Sequence, residues 1–181
     1  MMRAFAENTL GFRNRYRFNP GRDDMFWDKF TNFTPQSEDC LYLNVFAPAM
    51  DPVKSYPVMF YIHGGGFMMD SAVRYKPSNV ARLLVKHGVV VVTIQYRLGY
   101  LGYFCTGDDV AKGNYGLWDQ LEALKWTKEN IHHFGGDPNR ITVAGQSAGA
   151  VSADLLSLSP LSRGLLCFRL LFCCVLGHGM K

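Results

Sequence analysis

The chain has no apolar run long enough to cross a membrane: the longest, Leu165 to Leu176, is about half the ~20 residues a spanning helix needs, and Arg169 interrupts it. Cysteine is sparse. The five residues Cys40, Cys105, Cys167, Cys173 and Cys174 form an odd set without a C-x-x-C pair, which argues against a metal site and leaves at least one thiol unpaired in any disulfide scheme. There is no G-x-G-x-x-G fingerprint with a following acidic ribose partner and no P-loop lysine, so a nucleotide role is not expected. No basic face interleaved with aromatics marks a nucleic-acid module. Met1 to Leu10 lacks the apolar stretch of a secretory signal, so no secretory targeting is expected from these residues and the compartment stays open. Repeats and low-complexity linkers are missing too.

What is present suits one packed domain. Of 181 residues, 48% are hydrophobic and 14% aromatic, enough for a real core. The net charge of +4 is concentrated at the start, where Arg3, Arg13, Arg15, Arg17 and Arg22 fall within the first 22 residues, and reads as a solvated basic segment. Asn32-Phe33-Thr34 is the only glycosylation sequon, and Pro35 follows it directly.

Leu41 to Phe46 and Val58 to Ile62 read as strands, and Val89 to Ile94 is a nearly unbroken β-branched run that suits a strand buried on both faces. Val80 to His87 is a short helical pattern ending at Gly88, so strand, helix and strand succeed one another as in a crossover unit. Leu117, Leu121 and Leu124 repeat at helical spacing, with Ile131 further along the same face, and Gly135-Gly136 ends that helix. Asp137-Pro138-Asn139 reads as a turn, Ile141 to Ala144 as a strand, and Ala150 to Leu158 as a helix. The pattern predicts an α/β fold with a mostly parallel sheet and helices on both faces.

Two glycine-rich stretches lie at strand ends, where α/β proteins place their sites. Gly145-Gln146-Ser147-Ala148-Gly149 sits between a short apolar strand and a helix, where flanking glycines permit a strained turn that lifts the Ser147 hydroxyl clear of the sheet. The backbone N–H of Ala148 then lies at a helix N-terminus, free to donate to an anion. His63-Gly64-Gly65-Gly66-Phe67 follows the Val58 to Ile62 strand and presents consecutive N–H groups unobstructed by side chains. A hydroxyl that attacks and fixed donors where negative charge develops are the two requirements of acyl transfer, each donor contributing roughly 3 kcal/mol. Ser147 is the expected nucleophile.

These residues resemble the type-B carboxylesterase family, which includes the cholinesterases, from about Met25 to Leu165. Ser37 to Val45 is similar to the family's N-terminal signature, and Phe134 to Pro138 followed by Ile141 to Gly149 to its active-site signature. Tyr96-Arg97-Leu98-Gly99, Gly113 to Gln120 and Leu158 to Arg163 also resemble family sequence. The resemblance implies an α/β-hydrolase fold and hydrolysis of small-molecule carboxylic esters through an acyl-enzyme on Ser147. It further implies Gly65, Gly66 and Ala148 as the oxyanion hole, with no metal and no organic cofactor. His63 ahead of the glycines places the chain nearer to general carboxylesterases than to cholinesterases, and Trp27 is expected to pack rather than bind choline.

Two features depart from the family. Cys40 usually pairs there with an upstream cysteine, and none precedes it here; the family's opening strands are also not evident. The family order is Ser, then Glu or Asp, then His far downstream, yet only 181 − 147 = 34 residues follow Ser147. His63 is expected to buttress the glycine loop, and His87, His132, His133 and His178 to hold structural or surface roles. Asp119 is expected to pair with Arg97 rather than act as the triad acid. Residues 1–24 read as an atypical basic segment, 25–165 as the first part of a carboxylesterase domain and 166–181 as an apolar tail unlike the family. The sheet is expected to stop just after the helix that follows Ser147, leaving the serine's strand as an exposed edge and the product poorly soluble. The function implied is a serine ester hydrolase in truncated form without triad acid and histidine. The alternatives are an inactive fragment and a non-catalytic, cholinesterase-like binding or adhesion protein; no protein partner is indicated.

Overall fold

The computed structural model describes residues 3–5, 38–75 and 77–172. Trp27, the Asn32 sequon, Cys173, Cys174 and His178 lie outside these. One sheet organises the described residues: β1 (Arg3–Phe5), β2 (Tyr42–Phe46), β3 (Tyr56–Ile62), β4 (Val90–Ile94), β5 (Gly136–Gln146) and β6 (Phe168–Phe172), in the spatial order β1-β2-β4-β3-β5-β6. Strands β3, β4, β5 and β6 are mutually parallel, β2 runs antiparallel to β4, and β1 pairs parallel with β2.

Connections set where the helices lie. From β3 the chain passes through α1 (Pro77–Leu83) to β4 on one side, then through α2 (Gly99–Tyr103) and α3 (Tyr115–Asn130) back across β3 to β5, then through α4 (Ala148–Leu158) to β6. Parallel crossovers are right-handed, so a step one way and a step the other put their helices on opposite faces. Helix α1 therefore covers one face and α3 and α4 the other, and α3 and α4 do touch each other and both pack on β5. Strand β4, Val-Val-Val-Thr-Ile, is covered from both sides and buried along all five residues. The core joins Leu43, Phe60, Ile62, Val90, Val92, Ile94, Leu124, Ile131, Ile141 and Val143, all fully buried.

Two expectations need correction. The turn at Asp137-Pro138-Asn139 does not precede the strand but bulges within it. Gly136 pairs with Tyr56 and Ile141 with Val58, so residues 137–140 loop out, held by Asn139 N donating to Asp137 Oδ1 at 2.8 Å and Arg140 Nε to Asp137 Oδ2 at 2.7 Å. The serine's strand is not an edge either. Among the described residues one further strand follows α4, because Phe168–Phe172 pairs in parallel along Thr142 to Gln146. That segment, Phe-Arg-Leu-Leu-Phe, carries apolar residues at four of five positions and follows α4 as the far arm of a crossover. The short strand β1 lies at the β2 edge of the sheet.

Candidate active site

The parallel strands β3, β4 and β5 deliver three segments to their shared C-terminal edge: residues 63–70, 95–98 and Ser147. Ser147 occupies the single-residue turn between β5 and α4 with φ 56° and ψ −122°, a conformation sparsely populated by residues with a side chain. Its side chain is exposed. The two glycines of the motif are there for space. A β-carbon on Gly145 would sit 2.2 Å from the Gly149 carbonyl oxygen, and one on Gly149 would sit 2.1 Å from the Ile62 carbonyl oxygen, so strand and helix meet backbone to backbone. Ala148 opens α4, and its N–H belongs to the first helical turn, which has no intrahelical acceptor.

The glycine loop lies directly against this turn. A β-carbon on Gly64 would be 3.1 Å from Ser147 Cβ and 2.5 Å from the Gln146 carbonyl oxygen. Gly65 and Gly66 follow at φ 95° and 62°, and the Gly65 carbonyl accepts from Met68 N and Met69 N, each at 3.1 Å. Among the described residues, no carbonyl accepts from the N–H of Gly65, Gly66 or Ala148. The edge thus gathers an exposed hydroxyl and N–H groups suited to an oxyanion.

The segment after β4 holds the loop from behind. Tyr96 stacks on His63 with ring centroids 4.5 Å apart, and its hydroxyl donates to the His63 carbonyl at 2.9 Å. Gly99 N donates to the Phe67 carbonyl at 2.8 Å, Phe67 meets Tyr103 edge-on at 5.2 Å, and Gln95 Oε1 accepts from Ala72 N at 3.0 Å. His63 itself is buried, and its Nδ1 donates to the Gly64 carbonyl at 3.0 Å, which fixes the tautomer and ties the ring to the loop. Burial pushes its pKa below the ordinary histidine value, although the Asp70 carboxylate pulls the other way. The ring is therefore neutral and clamped, in keeping with its expected buttressing role.

Arg97 and Asp119 form the expected pair: Nε and one terminal nitrogen of Arg97 reach the two carboxylate oxygens at 2.7 Å each, and Arg97 N donates to Oδ2 at 3.0 Å. Asp119 is buried, and its hydrogen bonds, then its charge, raise the guanidinium pKa further. The pair anchors the start of α3 to the segment that clamps the loop. Of the other histidines, His87 precedes β4 and His132 and His133 precede β5, all at the opposite end of the sheet from Ser147. Cys40 is a buried free thiol with its pKa pushed up to about 11 by burial. Tyr96, Gln95 and Asp70 received no role from sequence. The partners of Tyr96 and Gln95 lie 33 and 23 residues away, so no local pattern announces them, and Asp70 pairs with its neighbours Ser71 and Arg74 in a stretch that matches no motif.

Comparison with known proteins now bears on the site. The profile of the Carboxylesterase family matches residues 14–170. The chain belongs to the carboxylesterase family. It is 54% identical over 132 residues to a cocaine esterase of Oryctolagus cuniculus, covering 72% of this chain and 24% of that protein. It is 53% identical over 130 residues to the medium-chain fatty acyl-CoA hydrolase precursor of Anas platyrhynchos, covering 71% and 23%. A liver carboxylesterase of Sus scrofa is 44% identical over 169 residues, covering 90% of this chain and 29% of that protein. This carboxylesterase-family chain thus spans about a quarter of the length of the relatives it matches, and its mixed sheet with helices is that of an α/β-hydrolase fold. No helix among its described residues is long and apolar enough to cross a membrane.

Proposed function

We propose that this chain carries the nucleophile-bearing part of a serine carboxylic ester hydrolase. Ser147 Oγ attacks the carbonyl carbon of a small-molecule ester. The carbonyl oxygen becomes the oxyanion, held by the N–H groups of Gly65, Gly66 and Ala148 at roughly 3 kcal/mol apiece. The alcohol leaves with a proton, and water then releases the acid from the acyl-serine. No cofactor or metal enters these steps. The observation that carries the reading is the contact between the Ser147 turn and the Gly64 loop at the strand ends, with a strained serine whose side chain faces outward. A binding or adhesion protein gains nothing from a strained serine beside free N–H groups, which favours the catalytic reading.

The described histidines are poorly placed to act as the triad base. His87, His132 and His133 lie at the far end of a sheet whose seven-residue strand β3 spans roughly 20 Å. His63 is buried and engaged with Gly64, and Asp119 with Arg97. An unassisted serine hydroxyl is a weak nucleophile. The 181-residue chain is accordingly expected to hydrolyse p-nitrophenyl butyrate at a kcat roughly 10⁴-fold or more below that of a complete triad, with Ser147→Ala lowering it little further, because what remains without a base comes from the oxyanion donors and substrate binding. Full-rate turnover by the isolated chain would place the base within it and overturn this half of the proposal.

A further inference from the structure

Beyond the glycine loop the chain doubles back through Met69 and Asp70, and this return forms the wall behind Gly65. A β-carbon on Gly65 would lie 2.0 Å from the Met69 carbonyl oxygen and 2.8 Å from Asp70 Cβ, so the Gly65 peptide takes its position from that return. Asp70 makes the return at φ 85°, in the left-handed region that disfavours most side chains and that Asp and Asn tolerate best. Its side chain is only 9% exposed and is gripped at both oxygens. Oδ1 accepts from Ser71 N at 2.8 Å, and Oδ2 pairs with Arg74 at 3.3 Å. Ser71 Oγ in turn accepts from Val73 N at 3.1 Å, capping the short helical turn Ala72–Arg74, and Ala72 N is bound by Gln95. The carboxylate therefore links the strained return to a turn that is itself tied to the end of β4.

We propose that Asp70, held by Ser71 and Arg74, is a positioning residue that fixes the Gly65 peptide and hence its N–H for the oxyanion. The proposal rests on the oxyanion reading of the loop, but its physical content concerns loop order and is measured without turnover. The amides of Met68 and Met69 report it, because both donate to the Gly65 carbonyl.

Hydrogen exchange by NMR on the whole chain is the test, with Val91, Val92 and Thr93 of β4 as an internal reference. Asp70→Ala is expected to speed exchange at Met68 and Met69 by about tenfold or more while the reference amides hold their rates. Asp70→Asn keeps an oxygen for Ser71 and tolerates the left-handed backbone but gives up the charge facing Arg74, so it is expected to recover part of the protection, between Asp70→Ala and the parent. Should Asp70→Ala fail to fold, Arg74→Gln decides: loss of the half-exposed partner is expected to loosen Met68 and Met69 alone. Unchanged exchange at Met68 and Met69 overturns the proposal, and so does equal acceleration at the β4 reference. A chain that proves catalytically silent leaves the exchange result intact, so the two failures are distinguishable.

Discussion

Ser147 is a serine in a backbone conformation that glycine would hold at no steric cost, and φ 56° with ψ −122° is stored strain of about 1–3 kcal/mol. Strain of this kind persists only where neighbours enforce it, here the contacts of Gly145 with Gly149 and of Gly149 with Ile62. Replacing the serine by glycine relieves the strain but adds unfolded-state entropy worth up to about 1 kcal/mol, so a net gain remains. Ser147→Gly is predicted to be more stable than Ser147→Ala by roughly 1 kcal/mol in urea titration. Equal stabilities would mean that the turn is relaxed. The motif announces this residue, since small residues around a serine between strand and helix have few other uses, whereas Tyr96 gives no such signal because its partner lies 33 residues away, and Asp70 gives none because its contacts with Ser71 and Arg74 belong to no motif.

At the scale of elements, the loop after β3 is rigid because the segment after β4 grips it through the His63–Tyr96 stack and the Gly99 to Phe67 hydrogen bond. His63 must stay neutral in that grip. Its folded pKa lies below the unfolded value of about 6.5, so above that pH neither state holds the proton and the full stability is present. As the pH falls through 6.5 toward the folded pKa, the unfolded chain takes the proton first and stability is lost. The parent is predicted to lose stability between pH 7 and pH 5 more steeply than His63→Gln, followed by urea midpoints at each pH; parallel slopes would count against a buried neutral ring. Strands β2, β3 and β4 were legible from their apolar runs to within two residues of the observed bounds. Strand β5 reads in the sequence as Ile141 to Ala144 alone because its bulge carries turn residues, Asp137, Pro138 and Asn139, that mimic a strand boundary.

For the whole molecule, the sheet order β1-β2-β4-β3-β5-β6 leaves the serine's strand inside the sheet, flanked by β3 and β6. The tail strand was missed because its apolar composition reads equally well as an unrelated extension, and only pairing along Thr142 to Gln146 reveals it. The Arg97–Asp119 pair was legible, because an arginine beside a strand end and an acid opening a helix have few other partners within reach. These residues are expected to form a working nucleophile site once a base and an acid are supplied. The most direct measurement exchanges residues 14–170 into the matching segment of the Sus scrofa liver carboxylesterase, 44% identical, and follows hydrolysis of p-nitrophenyl butyrate with the adduct of a fluorophosphonate mapped by mass spectrometry. The expected result is turnover, an adduct on Ser147, and a loss of roughly 10⁴- to 10⁶-fold in kcat with Ser147→Ala. Turnover that survives Ser147→Ala, or a folded hybrid that neither hydrolyses the ester nor takes the label, would contradict it.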